Sequence, residues 1–108
     1  MSRSLEQGAP AHLAGVQTVA DGLAPPFAGE HTFRHVQYFV DEMVRVTDVE
    51  IIDAVRVLIQ RCKLAAEPSG AAGLAALLSG KVAASPGSAV VFVISGGNIG
   101  PDVLKQLL

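Results

Sequence analysis

The sequence predicts an α/β fold built as part of a parallel sheet whose strands are joined by helices. Stretches with apolar residues at helical spacing alternate along the chain with short runs of β-branched residues. Strands separated by helices pair in parallel through right-handed crossovers. Only two of these runs resemble convincing strands, too few for a parallel sheet that must be covered on both faces. The chain is therefore expected to be a piece of a larger sheet, or to assemble with another copy.

The first elements are irregular. Residues 1–15 are interrupted by two glycines and a proline and show no clean periodicity, which predicts an irregular arm. Val16–Val19 alternates apolar and polar residues and predicts a short strand. Ala20–Gly29 is apolar but holds two prolines and two glycines, which forbid a regular element. We expect it to be a loop that packs on a core or lines a ligand.

Two helices are predicted in the middle of the chain. Thr32–Met43 has apolar residues every three or four positions, as in an amphipathic helix, and Val44–Val46 predicts a short strand after it. The second helix has a clear start, because Thr47 as N-cap and Glu50 three residues later make a capping box. Its apolar stripe, Ile51–Cys62, ends on the only cysteine, which is therefore expected in the core.

The last third of the chain predicts a helix, a strand and a helix. Glu67 and Pro68 begin the first of these helices, since proline is favoured at the first helical position. Its body, Ser69–Ser79, consists mostly of small residues, so we expect it to be buried. Ser88–Ile94 is a continuous apolar run, typical of a strand buried on both faces. A tight loop follows, and Pro101 starts the final helix.

Composition excludes several classes of function. The chain has 108 residues, 50% of them hydrophobic, which fits one folded domain and not a disordered chain. A net charge of −2 provides no basic field for nucleic acid or anionic lipid, and no tryptophan is available for stacking on bases. The lone cysteine, the short apolar runs and the lack of a signal-peptide pattern predict a cytoplasmic protein without disulfides or a membrane span.

The sequence Ser95-Gly96-Gly97-Asn98 is the sharpest candidate for a binding site. It follows a predicted strand and precedes a helix, and ligands of open α/β sheets lie outside the carboxyl ends of strands. A serine hydroxyl on a glycine turn can bond a ligand heteroatom. An equally good interpretation is a plain turn in which glycine supplies a positive φ. The spacing matches neither a Walker A loop nor a dinucleotide-binding fingerprint.

Other polar residues give weaker signals. The helix macrodipole alone explains Glu67 at a helix start, although a carboxylate near a bound cofactor is an alternative. His31 and His35 have the i, i+4 spacing of metal ligands, but no third ligand is evident. We expect this histidine pair to face solvent, and we predict no metal site. No lysine lies in a context that marks it as a Schiff-base former.

Three segments in order carry a family resemblance: Thr18–Ala24, Lys63–Ala71 and Val93–Asn98. Together they resemble the threonine dehydratase and serine racemase family. These are fold-type II pyridoxal-phosphate-dependent enzymes, related to the tryptophan synthase β subunit. The resemblance begins near Ser4 and matches roughly the last third of the family. It implies that residues 16–108 are the C-terminal portion of a three-layer, parallel-sheet large domain, preceded by the irregular arm of residues 1–15.

The resemblance also implies roles for five residues in binding pyridoxal 5′-phosphate. Ser95 takes the place of the serine that bonds the pyridine nitrogen, with Gly96 in the same motif. A hydroxyl does not force that nitrogen to be protonated, so the ring is a weaker electron sink, which suits α-proton removal with β-elimination. Gly22 matches a loop beside the cofactor, and Glu67 matches a carboxylate near its pocket. Asn98 matches a position that helps hold a nucleotide effector in the racemase branch.

The resemblance is incomplete where covalent chemistry is concerned. The family's Schiff-base lysine, in a serine-phenylalanine-lysine motif, and its glycine-rich phosphate loop have no counterpart among the quoted segments. The parent enzyme is expected to be an ammonia-lyase that converts L-threonine or L-serine to a 2-oxo acid and ammonia. Hydroxyaspartate as substrate, and racemisation, stay open. No catalytic residue is assigned to this chain, which alone is expected to be inactive.

Two alternatives belong to other functional classes. The chain could be a non-catalytic, truncated or regulatory module that assembles as a homo-oligomer or with a complementing N-terminal part. It could also be a small nucleotide-binding domain that uses the loop 95–98. If the chain is part of a larger domain, as the resemblance implies, an isolated chain is expected to expose apolar surface around the alanine-rich helix and Ser88–Ile94.

Overall fold

The computed structural model describes all residues, 1–108, and contains five α-helices. A 3₁₀ turn, Asp21–Leu23, precedes the second helix, and a π turn, Leu58–Cys62, continues the third. None of the helices combines the length and the apolar character that crossing a bilayer requires. The helices are α1 (Ser2–Gln7), α2 (Glu30–Phe39), α3 (Asp48–Val57), α4 (Pro68–Leu78) and α5 (Pro101–Leu107).

No β-strand forms within this chain, so the three strands predicted from the sequence are wrong as elements of the chain itself. The predicted strands Val16–Val19, Val44–Val46 and Ser88–Ile94 lie outside helices and outside any ladder. The only β pairing is an isolated antiparallel bridge between His12 and Phe27. A strand exists only beside a hydrogen-bonded neighbour, and the chain does not bring any two of the three segments into such a pair.

The core forms where α3 packs against α4. The predicted start of α3 is confirmed, because the Thr47 N–H donates to Glu50 Oε2 at 2.7 Å and the Glu50 N–H donates to Thr47 Oγ1 at 3.3 Å. The small residues of α4 let the two helices approach closely. The buried cluster comprises Ala20, Ile51, Ala54, Val55, Leu58, Ala66, Ala71, Leu74, Ala75 and Leu107.

The burial of α4 is confirmed, and its predicted start at Pro68 is also confirmed. More than half of the residues of α4 are buried under α3 and the segments beside it, so the apolar surface expected around this helix is limited, with Leu78 54% exposed. The same expectation holds for Ser88–Ile94, where Val91 is 89% and Val93 is 79% exposed.

The irregular arm predicted for residues 1–15 is wrong in part, because α1 forms over Ser2–Gln7 and Gly8 ends it in the left-handed region at φ 73°. Helix ends elsewhere also differ from the prediction. The second helix, α2, stops at Phe39 and not at Met43, because the backbone is already extended at Val40 (φ −103°, ψ 118°). Cys62 is exposed, so its predicted place in the core is wrong. The π turn that ends α3 is wider than an α turn, and it rotates Cys62 away from the apolar stripe. Lys63 then leaves the helix in the left-handed region at φ 59°.

Side-chain hydrogen bonds from α3 hold residues 18–19 and α5 against this core. The Asp48 carboxylate accepts the Thr18 hydroxyl at 2.5 Å and the Val19 N–H at 3.2 Å. These bonds hold the segment that leads into the turn Asp21–Leu23. At the other end, Arg56 Nε donates to the Leu107 carbonyl at 2.7 Å, which ties α5 to α3.

Candidate functional site

The three segments that carry the predicted site residues meet at the beginning of α4. The Glu67 N–H donates to the Gly96 carbonyl at 2.9 Å, and the Gly70 N–H donates to the Glu67 carbonyl at 3.0 Å. The loop that starts at Ser95 is therefore fastened beside the first turn of α4. The residues that meet there form what we call the α4 cluster: Gly22, Glu67, Ser69, Ser95 and Gly96.

Gly70 explains how the loop comes so close. A Cβ atom built on Gly70 would overlap the Ser95 carbonyl group. Only glycine at position 70 lets the Ser95 backbone lie directly against the first turn of α4. The absence of a side chain there therefore determines the position of Ser95.

Gly22 brings the second segment to the same point. A Cβ on Gly22 would lie 2.8 Å from Ser69 Oγ and 3.6 Å from Glu67 Oε1. The 3₁₀ turn is closed from within, because the Gly22 N–H donates to Asp21 Oδ1 at 2.8 Å. The backbone at Gly22 thus faces a hydroxyl and a carboxylate without any side chain between them.

Gly96 has the positive φ expected for a glycine turn, at 71°. A Cβ there would overlap the carboxyl end of Glu67. The Glu67 side chain therefore lies over the Gly96 backbone, and its carboxylate lies within a few ångströms of Gly22 as well.

Ser69 is the member of the cluster that sequence reasoning missed. Its hydroxyl oxygen is buried but has no hydrogen-bond partner in the chain. Leaving a buried hydroxyl unpaired costs about 1–3 kcal/mol, and such groups call for an explanation. A ligand atom in the cluster would supply the partner. The one feature of the sequence that could have pointed to Ser69 as a site residue is its position directly after Pro68, at the predicted start of the helix.

The structure brings together four of the five predicted site residues, Gly22, Glu67, Ser95 and Gly96. Ser95 is exposed, and its hydroxyl makes no hydrogen bond within the chain, so it is free for a ligand. Asn98 is not brought into the cluster. It is exposed in a turn closed by the Ile99 N–H, which donates to the Gly97 carbonyl at 3.0 Å, and its side chain makes no hydrogen bond.

The histidine pair lies on the solvent side of α2, as expected. Both His31 and His35 are exposed, and His35 Nδ1 lies 2.8 Å from the His31 carbonyl oxygen of the same helix. The structure contains no group of three or more His, Cys, Asp or Glu side chains that could hold a metal ion.

A larger, mostly apolar cavity of about 710 Å³ lies between the N-terminal arm and the α3–α4 core. Leu23, Pro25, Pro26 and Phe27 line it, so the apolar loop forms one wall of this cavity. None of the five residues of the α4 cluster lines this cavity. The α4 cluster is therefore separate from this cavity.

Comparison with protein families decides the class of protein. The family model described as "Pyridoxal-phosphate dependent enzyme" matches residues 1–96. The chain belongs to this family. The resemblance drawn from the three segments is thereby confirmed, and pyridoxal phosphate is the cofactor of the family.

Individual relatives agree with this assignment. The chain is 41% identical over 108 residues to the L-threonine ammonia-lyase of Thermotoga maritima, a match that covers all of this chain and 26% of that protein. It superposes on maize serine racemase with a TM-score of 0.82 and 37% identity, over 96% of this chain and 34% of that one. It also matches a T.th. threonine deaminase, with a TM-score of 0.80 and 35% identity, over 91% of this chain and 33% of that one.

The chain thus spans about a quarter to a third of the length of these relatives. The superpositions confirm that the chain has the fold of one part of these pyridoxal-phosphate-dependent enzymes. The helices and connecting segments lie as in one part of these enzymes, although no strand pairs within this chain.

The α4 cluster fits one side of pyridoxal phosphate. Its unpaired Ser69 hydroxyl, the free Ser95 hydroxyl and the Glu67 carboxylate suit the polar atoms of a pyridine ring, and Gly22 and Gly96 let the Ser69 and Glu67 side chains lie directly against the backbone. No lysine or arginine belongs to the cluster, so it does not fit the phosphate end. We therefore treat it as a site for the ring alone.

Proposed function

We propose that this chain supplies the ring-side wall of the pyridoxal-phosphate site in an ammonia-lyase that acts on L-threonine or L-serine. The observation that carries the proposal is the α4 cluster, in which an unpaired buried hydroxyl faces a glycine backbone and a carboxylate. The relatives named above support the reaction class, since they are a threonine ammonia-lyase, a threonine deaminase and a serine racemase.

Each residue of the wall has a separate task in this proposal. When bound, pyridoxal phosphate supplies the electron sink for removal of the substrate α-proton. The Ser95 hydroxyl hydrogen-bonds the pyridine nitrogen without forcing its protonation. Ser69 gives its unpaired hydroxyl to a second polar atom, and the Glu67 carboxylate fixes the orientation of the ring. Gly22 and Gly96, which have no side chains, let the Ser69 hydroxyl and the Glu67 carboxylate lie against the backbone.

The lysines of this chain support the view that it does not bond the cofactor covalently. Each of the three is engaged elsewhere on the surface. Lys63 Nζ donates to the Gln60 carbonyl at 2.8 Å, Lys81 pairs with Glu50 at 2.7 Å, and Lys105 lies 3.6 Å from Asp102. In the proposal, the covalent anchor and the phosphate cradle come from the remainder of a family-length protein, and residues 16–108 correspond to the C-terminal portion of its large domain.

A second candidate function is a non-catalytic module that assembles with another chain. The observation that favours it is Ser88–Ile94, an apolar segment left without a pairing neighbour. Hydroxyaspartate dehydration, racemisation and a nucleotide contact by Asn98 stay predictions, since no contact in the structure favours any of them.

Equilibrium dialysis of pyridoxal phosphate against the chain tests the proposed wall. We expect measurable, reversible binding that Ser95→Ala weakens severalfold, because one hydrogen bond to a ligand is worth about 1 kcal/mol. Ser88→Ala, an exposed serine outside the cluster, is the matched control and should leave binding unchanged. Incubation with L-threonine should yield no 2-oxo acid. Equal binding by all three proteins, or turnover by this chain alone, would refute the proposal.

A further inference from the structure

Both carboxylate oxygens of Asp48 hold the segment that leads into the turn Asp21–Leu23. The Thr18 hydroxyl donates to Oδ1 at 2.5 Å, and the Val19 N–H donates to Oδ2 at 3.2 Å. The Thr18 oxygen in turn accepts the Ala20 N–H at 3.2 Å. One carboxylate of α3 therefore fixes three successive residues, and all of these bonds lie within this chain.

This segment determines where Gly22 lies. Ala20 is fully buried in the α3–α4 core, and its carbonyl accepts the Leu23 N–H at 2.9 Å, which closes the turn. Gly22 lies in that turn, where a Cβ would be 2.8 Å from Ser69 Oγ. No hydrogen bond joins the turn to α4. The approach of Gly22 to Ser69 therefore depends on the packing of Ala20 and on the bonds to Asp48.

The position of Asp48 is itself fixed by α3. The residue is half-buried in the first turn of that helix, directly after the N-cap Thr47, and α3 packs on α4. The helix macrodipole alone favours a carboxylate at this place, but it does not require a contact with a residue 30 positions away. Asp48 takes part in none of the three ion pairs of the chain. Its charge is therefore directed to residues 18–19, in charge-assisted hydrogen bonds that are stronger than neutral ones.

We propose that Asp48 is a positioning residue of the ring-side wall. Through Thr18, it holds Gly22 beside Ser69. Asp48 makes no hydrogen bond to the α4 cluster, so it acts only through the segment 18–20. The inference rests on the proposed function where binding of pyridoxal phosphate is concerned. The placement of Gly22 is a property of the free chain and can be measured without any ligand.

Two-dimensional ¹H–¹⁵N NMR of the free chain tests this placement. Thr18→Val keeps the shape of the side chain but removes its hydroxyl, and it leaves the Asp48 charge in place. We expect the amide signals of Gly22 and Ser69 to shift, and hydrogen exchange in the turn to rise about fivefold, because the lost hydrogen bonds favour local opening. Thr18→Ser keeps the hydroxyl and should behave like the original chain. Asp53→Ala removes an exposed carboxylate from the same helix and should change neither the signals nor the exchange.

Equilibrium dialysis of pyridoxal phosphate tests the consequence for binding. We expect Thr18→Val and Asp48→Ala each to weaken binding about fivefold, the ratio that one lost hydrogen bond predicts, and Asp53→Ala to bind as the original chain does. Circular dichroism verifies that each variant is folded, since a purely structural role would lower stability and leave binding by the folded chain unchanged.

The two measurements separate this inference from the proposed function. Unshifted Gly22 and Ser69 signals in Thr18→Val, or equal binding by Thr18→Val and the original chain, would overturn the positioning role without contradicting the proposed function. If the original chain does not bind pyridoxal phosphate but Thr18→Val shifts both signals, the proposed function fails and the placement of Gly22 by Asp48 is supported.

Discussion

Replacing Gly70 with alanine should move Ser95 and Gly96 away from the other residues of the α4 cluster. The added Cβ would overlap the Ser95 carbonyl group, which is backbone and cannot rotate out of the way. The loop that carries Ser95 must therefore move away from α4. That movement breaks the hydrogen bond from the Glu67 N–H to the Gly96 carbonyl, which now measures 2.9 Å.

Three contributions determine how much Gly70→Ala changes the free energy of unfolding. Forcing a methyl group into a packed site costs about 1–3 kcal/mol, and the lost backbone hydrogen bond costs about 1 kcal/mol. Alanine recovers about 0.5–1 kcal/mol, because it loses less backbone entropy in a helix than glycine does. The net loss in the free energy of unfolding is thus about 2 kcal/mol, measured by urea denaturation with linear extrapolation.

Gly73→Ala is the matched control, since it places the same methyl group in the same helix. Its nearest neighbour is the Phe92 Cβ at 3.3 Å, on a segment without backbone hydrogen bonds that can shift by a few tenths of an ångström. We expect Gly73→Ala to change stability by less than about 1 kcal/mol in either direction. Equal stability of the two variants would refute the argument that Gly70 sets the place of Ser95.

Three further predictions concern the rest of the chain. Thr47→Ala removes the capping box and should lower the free energy of unfolding by about 1 kcal/mol, whereas Thr32→Ala, on the exposed side of α2, should have little effect in the same urea titration. The pKa of Glu50 lies below its ordinary value, because the Lys81 ammonium and the Thr47 N–H donate hydrogen bonds to its carboxylate. Its contribution to stability is therefore present above the ordinary carboxyl range and is lost as pH falls through the lowered pKa; Glu50→Gln should flatten the acid side of a plot of urea midpoint against pH, and an unchanged slope would contradict this. Borohydride reduction in the presence of pyridoxal phosphate should label the three lysines without preference for one, as peptide mass mapping would show, and a single dominant site would contradict the absence of a covalent anchor.

The local features of this fold could be predicted from the sequence because neighbouring residues determine them. The capping box of Thr47 and Glu50 and the proline start of α4 involve groups only three residues apart or fewer. The strand at Ser88–Ile94 could not be settled in this way. Its composition is that of a buried strand, but pairing depends on a partner that can lie anywhere in sequence, and this chain provides none.

The candidate site was predictable only in part, for a similar reason. Ser95, Gly96, Glu67 and Gly22 followed from short motifs whose order carried the family resemblance. Ser69 did not, because a serine in the first turn of a helix is ordinary, and only the structure shows its hydroxyl buried without a partner. Cys62 was misplaced because periodicity assumes an α-helix to the end, and the π turn breaks that register.

The central claim is that three separate segments form one wall for the ring of pyridoxal phosphate. The most direct test is a titration followed by two-dimensional ¹H–¹⁵N NMR, with pyridoxal and with inorganic phosphate in parallel. We predict that pyridoxal shifts the amide signals of Gly22, Ser69, Ser95 and Gly96 together, and that phosphate alone leaves them unchanged. Shifts caused by phosphate but not by pyridoxal, or pyridoxal shifts confined to residues outside the α4 cluster, would contradict the claim.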